Sequence, residues 1–182
     1  MPPMTDTASF PLRGRRVAVL VEDDFEDMEL TGPVDALAAA GAEVVVVGPA
    51  ATVYRGRHGT SVAAELPAVR ARMSAFDGLV IPGGYAPDRM RLRHPMVDLA
   101  REAMAADKIV GAICHGPQLL ISANALRGRT LTCWPSIAID VKNAGGLYYD
   151  KPVVEDGNLI TSRKPDDVPA FSAALIRALS RP

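Results

Sequence analysis

The chain is poor in the residues that staple or metallate small proteins: two cysteines and three histidines occur among 182 residues. No Cys-x-x-Cys or His-x-x-x-His spacing brings any of them together, which argues against a zinc site. So few thiols, with no apolar signal-like stretch at the start, argue against a disulfide framework and for a reducing cytoplasm. No Gly-x-Gly-x-x-Gly follows the first predicted strand, so no dinucleotide, and no other cofactor, is expected. No apolar run approaches the roughly 20 residues of a membrane span. Charge of one sign is lacking too. The formal net charge is −1 and no long charged run occurs, which points away from nucleic acid. Repeats and low-complexity linkers are absent. One domain over residues 13–182 is expected, after a polar, Pro-containing flexible tail at 1–12.

What the chain does have is a series of continuous apolar runs, at 17–21, 43–47, 77–81 and 109–113. Such runs suit strands covered on both faces. Helix-like segments separate them: one from the acidic 22–29 stretch to Ala40, capped by Gly41, a modest one at 68–75, and one from Pro95 to Ala106. Gly- and Arg-rich 54–62 reads as a hairpin or loop, and 88–93 as a loop. Beyond the fourth strand, helices are expected at 118–125, 135–144 and 165–179, a short strand at 129–132, and a hairpin around Asp156-Gly157-Asn158. Strands alternating with helices give a flavodoxin-like, doubly wound, mainly parallel α/β sandwich.

The segment AICHGPQLLI from Ala112 is where the rest converges. An apolar strand meets Gly116 and Pro117, which open a helix, so Cys114 and His115 occupy a sharp strand-to-helix turn. This is the cysteine counterpart of the nucleophile elbow. A helix N-terminus favours a thiolate, so Cys114 is expected to be an exposed, low-pKa nucleophile rather than a small buried hydrophobe. Glu26 and Glu29, three apart on one helix face, follow the first strand; Gly83 and Gly84 follow the third. All three groups lie at the carboxyl end of the sheet, where such folds bind ligands. Backbone N–H groups at Gly84 and His115 would form an oxyanion hole. His115 would act as general base only if the turn bends it back to the thiol. A Glu29 carboxyl would donate a hydrogen bond to a thiolate when protonated, or take up a proton when ionised. Which of Glu26 and Glu29 carries the functional proton stays open. His58 and His94 read as solvated surface imidazoles, and Cys133 as an ordinary partly buried thiol.

These residues carry a resemblance. VEDDFEDMELTGPVDAL from Val21, GAEVVVVGP from Gly41, LVIPGGYAPDRMR from Leu79, AICHGPQLLISA from Ala112, LTCWPSI from Leu131 and VVEDGNLITSRKPDDVPAF from Val153 are similar to the PfpI family. That family is the intracellular protease-like branch of the DJ-one/PfpI superfamily. The resemblance implies Cys114 as nucleophile, His115 beside it, Glu29 as the buried carboxyl on the thiol, Glu26 as a neighbouring acid, and Gly84 and His115 as oxyanion donors. It implies homodimers, and hexamers in some members, in which an acid of a second subunit orients the histidine. That acid maps to Asp88, where relatives carry Glu. Trp134 stands where a tyrosine is common. Members similar to this chain are described as cysteine peptidases, as glyoxalase III or deglycases acting on methylglyoxal adducts, and as stress proteins or chaperones whose cysteine oxidises.

Three functions follow. The first is a deglycase or glyoxalase attacking a small carbonyl compound or a glycated protein through Cys114. The second is a peptidase using Cys114 and His115. The third is a non-enzymatic redox sensor or holdase for unfolded protein. Aldehyde chemistry ranks first, because amide cleavage needs an acid for the leaving amine and only His115 offers one. A glutamine amidotransferase is nearly excluded, since no histidine follows His115.

Overall fold

The computed structural model describes residues 10–182. In chain order the elements are β1 (Arg16–Leu20), α1 (Asp27–Ala39), β2 (Glu43–Gly48), β3 (Val53–Arg55), β4 (Ser61–Ala63), β5 (Leu66–Pro67), β6 (Gly78–Ile81), α2 (Ala86–Met90) and α3 (His94–Ala105). Then come β7 (Ile109–Ile113), α4 (Pro117–Ser122), β8 (Thr130–Leu131), α5 (Ala138–Asn143), β9 (Leu147–Tyr148), β10 (Val153–Asp156), β11 (Leu159–Ser162) and α6 (Val168–Leu179).

Seven of the described strands form one sheet in the order β10-β11-β7-β6-β1-β2-β5. Every pairing is parallel except β10 with β11, which closes the expected hairpin. The inner strands are buried along nearly their whole length, as Val- and Ile-rich runs must be when helices cover both faces. Helix α6 packs on α1, β7 and β11, while α3 packs on β6, β7 and α4. Small residues permit the close approaches on the α6 side. A Cβ on Gly32 would lie 2.5 Å from Val168, and one on Gly111 would meet Leu175 at 2.7 Å.

The register aligns the strand ends that matter. Val19 pairs with Val80, Ile81 with Ala112, and Ile113 with Ser162. The chain leaves β1 for β2 on one side and returns as β6 on the other, so the winding reverses between β1 and β6. That reversal opens a crevice at the carboxyl edge.

Several expectations need correction. Segment 68–75 is two 3₁₀ turns broken by extended Ala71 and Arg72. It is too short to nucleate an α-helix, and the Glu102 carboxylate takes the Met73 N–H at 3.2 Å. The expected loop at 88–93 begins in α2, because Ala86, Pro87 and Met90 have a core to face. Helix α4 has six residues and stops at Ser122, since Asn124 turns left-handed and ends it. Of the expected tail, residues 1–9 lie outside the described region, but Leu12 is fully buried and donates its N–H to Ala40. No helix among the described residues is long and apolar enough to cross a membrane.

Candidate functional site

Three loops meet at the carboxyl edge. After β7 the chain must reverse into α4 within a few residues, and Cys114 absorbs the turn in a left-handed conformation (φ 61°). That is unusual for a side chain with a Cβ and typical of a strained functional position. Its backbone is fixed on both sides: Cys114 N–H donates to Ser162 at 3.0 Å, and its carbonyl accepts from Trp134 at 2.9 Å. Gly116 makes the turn possible, because a Cβ there would lie 2.5 Å from the Ile81 carbonyl.

After β1, residues 22–26 cross the edge before α1 begins. Phe25 forms one bridge to Gly56 and another to Gly84. The second bridge uses Glu26 N–H to Gly83 O and Tyr85 N–H to Asp24 O, which leaves the Gly84 N–H outside the ladder. That N–H and the His115 N–H both favour the anion of the Cys114 thiol.

Glu29 projects from α1 into the same spot and is fully buried. Its Oε2 accepts the Gly83 N–H at 2.9 Å, while Oε1 has no hydrogen-bond partner. The polar group the carboxyl faces is the Cys114 thiol. Gly83 is what lets them meet, since a Cβ there would run into Glu29 and come within 2.8 Å of the Cys114 Cβ.

Burial drives the electrostatics. It pushes the Glu29 carboxyl up to about 8, with the thiol pulling it down and Glu26 adding to the rise. Burial also pushes the Cys114 thiol up, followed by repulsion from Glu29; the N–H groups of His115 and Gly84 only partly offset this. The expected exposed thiolate is therefore corrected. Cys114 is 7% exposed, α4 is too short for a strong dipole, and the pair keeps both protons at neutral pH. Loss of the Glu29 proton near pH 8 leaves a carboxylate beside the Cys114 thiol, placed to take its proton.

His115 does bend back: its Nδ1 lies 3.3 Å from the Cys114 sulfur. Burial, then Arg57, lowers its pKa, so the imidazole is neutral at neutral pH. Trp134 stacks on it at 6.2 Å between centroids and is 37% exposed. Glu26 sits beside Glu29 without touching the thiol, and Asp88 is exposed in the first turn of α2. Cys133 is fully buried, and burial, then Asp140, pushes its thiol up to about 12.

Arg57, His58 and Asp27 are the residues the sequence reading missed. His58 Nε2 lies 3.1 Å from Glu26 Oε1, and Arg57 Nη1 lies 3.4 Å from Glu26 Oε2. His58 is a surface imidazole as expected, with 66% of its side chain exposed, and it also contacts Glu26 at the rim of the site. The available signal was the Gly56-to-Gly59 turn, which must bring a short hairpin over something. A cleft of about 600 Å³ lined in part by Val69, Arg72, Leu99 and Glu102 lies elsewhere and holds no cysteine or histidine.

Comparison with known proteins places the chain in a family. The model of the DJ-1/PfpI family matches residues 15–178. The chain is 45% identical over 168 residues to protein/nucleic acid deglycase 2 of Escherichia coli, covering 91% of this chain and 98% of that one. It is 40% identical over 164 residues to deglycase PfpI of Pyrococcus furiosus, covering 90% and 99% respectively. Among solved structures, a two-domain protein of Anabaena variabilis with DJ-1/ThiJ/PfpI-like and ferritin-like domains superposes with a TM-score of 0.90 at 44% identity. The match covers 91% of this chain and 48% of that protein, so this chain spans about half its length.

Proposed function

The chain belongs to the DJ-1/PfpI family, and on that premise we propose that it is a cysteine-dependent deglycase or glyoxalase-like enzyme acting on methylglyoxal and its adducts. The observation that carries this reading is the buried pairing of Glu29 with Cys114, beside two N–H groups that favour the sulfur anion. A pair that sheds one proton near pH 8 supplies sulfur nucleophile and proton carrier together.

The thiol passes its proton to the Glu29 carboxylate as Sγ bonds to the aldehyde carbon. The carbonyl π pair moves onto oxygen, which the Gly84 and His115 N–H groups stabilise before Glu29 returns the proton. The product is a hemithioacetal. The hydrogen on that carbon is then removed as a proton by Glu29 or neutral His115 and delivered to the neighbouring carbon. The hemithioacetal hydroxyl proton passes to the oxygen of that neighbouring carbon, so its carbonyl becomes a hydroxyl and a thioester is left on Cys114. Water cleaves the thioester, so methylglyoxal and one water give lactate and the free thiol, with no external oxidant or reductant. The test is lactate formation from methylglyoxal, present in the wild type and abolished in Cys114→Ala.

The contact of His115 Nδ1 with the sulfur favours a peptidase as the second reading. The same Cys114→Ala pair assayed on casein decides it; absence of cleavage by reduced protein removes it.

A further inference from the structure

The hairpin of β3 and β4 ends in a turn that is pinned to the site rather than free. The Asp27 carboxylate accepts the His58 N–H at 3.0 Å through Oδ1 and the Thr60 N–H at 2.9 Å through Oδ2. Gly56 lacks a Cβ where one would run into Asp27, and Arg57 N–H donates to Phe25 O at 2.9 Å. The turn is therefore fixed to the same segment that bridges to Gly84 and leads into Glu26.

This anchoring places the Arg57 side chain between the two halves of the site. Its guanidinium lies 4.6 Å from the centre of the Tyr85 ring, one residue past Gly84. On the other side it touches Glu26, three residues before Glu29. The charge is felt at both Glu29 and His115. Arg57 carries five N–H donors in a planar fork, of which one makes a single long contact with Glu26. The guanidinium lies over the Tyr85 ring, and 39% of the side chain is exposed.

We propose that Arg57 is a specificity-determining residue: its guanidinium receives oxygen carried by the carbon next to the one Cys114 attacks. In a 2-oxoaldehyde that oxygen is the second carbonyl; in the 2-hydroxy acid product it is the carboxylate. The assignment rests on thiol addition at Cys114 as proposed above, and its test does not need turnover.

Iodoacetate and iodoacetamide provide it. In both, Sγ bonds to the same methylene carbon and iodide leaves with the C–I electron pair; only the neighbouring group differs, carboxylate against amide. Rates of Cys114 alkylation are measured by peptide mass on the full chain, in the wild type, Arg57→Met and Arg57→Lys. The expected result is a fall of about tenfold in the iodoacetate-to-iodoacetamide ratio in the methionine variant, largely restored by lysine. An unchanged ratio overturns the proposal, as does an equal loss of both rates, which would mean that Arg57 acts only through the charge of the Cys114 pair. A wild type that makes no lactate but keeps the charge preference removes the catalytic reading and leaves Arg57 as an anion receptor.

Discussion

Asp27 holds the backbone of His58, and through it the turn that covers the site: both carboxylate oxygens are used, on His58 and on Thr60. Burial opposes the charge, but these hydrogen bonds outweigh it and keep the carboxyl below its ordinary range. Asp27→Ala leaves two N–H groups unpaired beside the core. The expected loss is about 2–3 kcal/mol of unfolding free energy in urea, with faster amide exchange at His58 and Thr60. The loss should shrink in acid, because a lowered carboxyl contributes stability above its unfolded pKa that disappears as pH falls through the folded value. Unchanged exchange at those amides would mean that the turn stands without Asp27.

Glu29 makes the opposite prediction for pH. Its carboxyl is raised from 4.5 to about 8, so the folded chain keeps a proton that the unfolded chain releases above 4.5. Stability from the protonated group is complete below 4.5 and is lost as pH rises through 8, on the order of 5 kcal/mol in all. Comparing wild type with Glu29→Gln at pH 5 and pH 9 should show this slope in the wild type alone. The same variant should lose the step near pH 8 in Cys114 alkylation by iodoacetamide, and at least about a hundredfold in lactate formation. A Gln variant that keeps the step would assign it to another group.

The parallel sheet and the elbow were legible because each rests on a local pattern. Runs such as GAEVVVVGP can only be strands covered twice, and Gly116-Pro117 after such a run forces a turn into a helix. The spacing of Glu26 and Glu29 put the pair on one helix face, but only the resemblance singled out Glu29. Arg57 was not legible, because its place depends on a hairpin reaching Asp27 across 31 residues. Nor was the charge of Cys114: the residue pattern reports the turn, whereas the thiol's protonation follows from burial against Glu29, which only packing decides.

Gly116 and Gly83 should separate folding from chemistry. Gly116→Ala sets a Cβ 2.5 Å from Ile81 O and 2.9 Å from Ile113 O, both backbone atoms that cannot swing away. A cost above about 2 kcal/mol is expected, seen as a lowered urea midpoint. Gly83→Ala presses on the Glu29 carboxyl and the Cys114 Cβ. It should disturb the pH profile of Cys114 alkylation more than its stability loss explains. Equal stability of Gly116→Ala and wild type would contradict the elbow geometry.

The two thiols differ in ways that peroxide should read. Cys133 is sealed in the core, where burial and then Asp140 push its thiol up to about 12. Cys114 is slightly exposed, and above pH 8 it faces a Glu29 carboxylate that can take its proton as the sulfur reacts. Oxidation proceeds through the thiolate, so mild peroxide at pH 8.5 should add oxygen to Cys114 before Cys133, by intact mass and peptide mapping. The selectivity should weaken at pH 6, where the pair holds both protons. In Glu29→Gln it should lose its dependence on pH through 8. Oxidation of Cys133 at an equal rate would mean that the core opens faster than the site reacts, and would remove the sensor reading for Cys114.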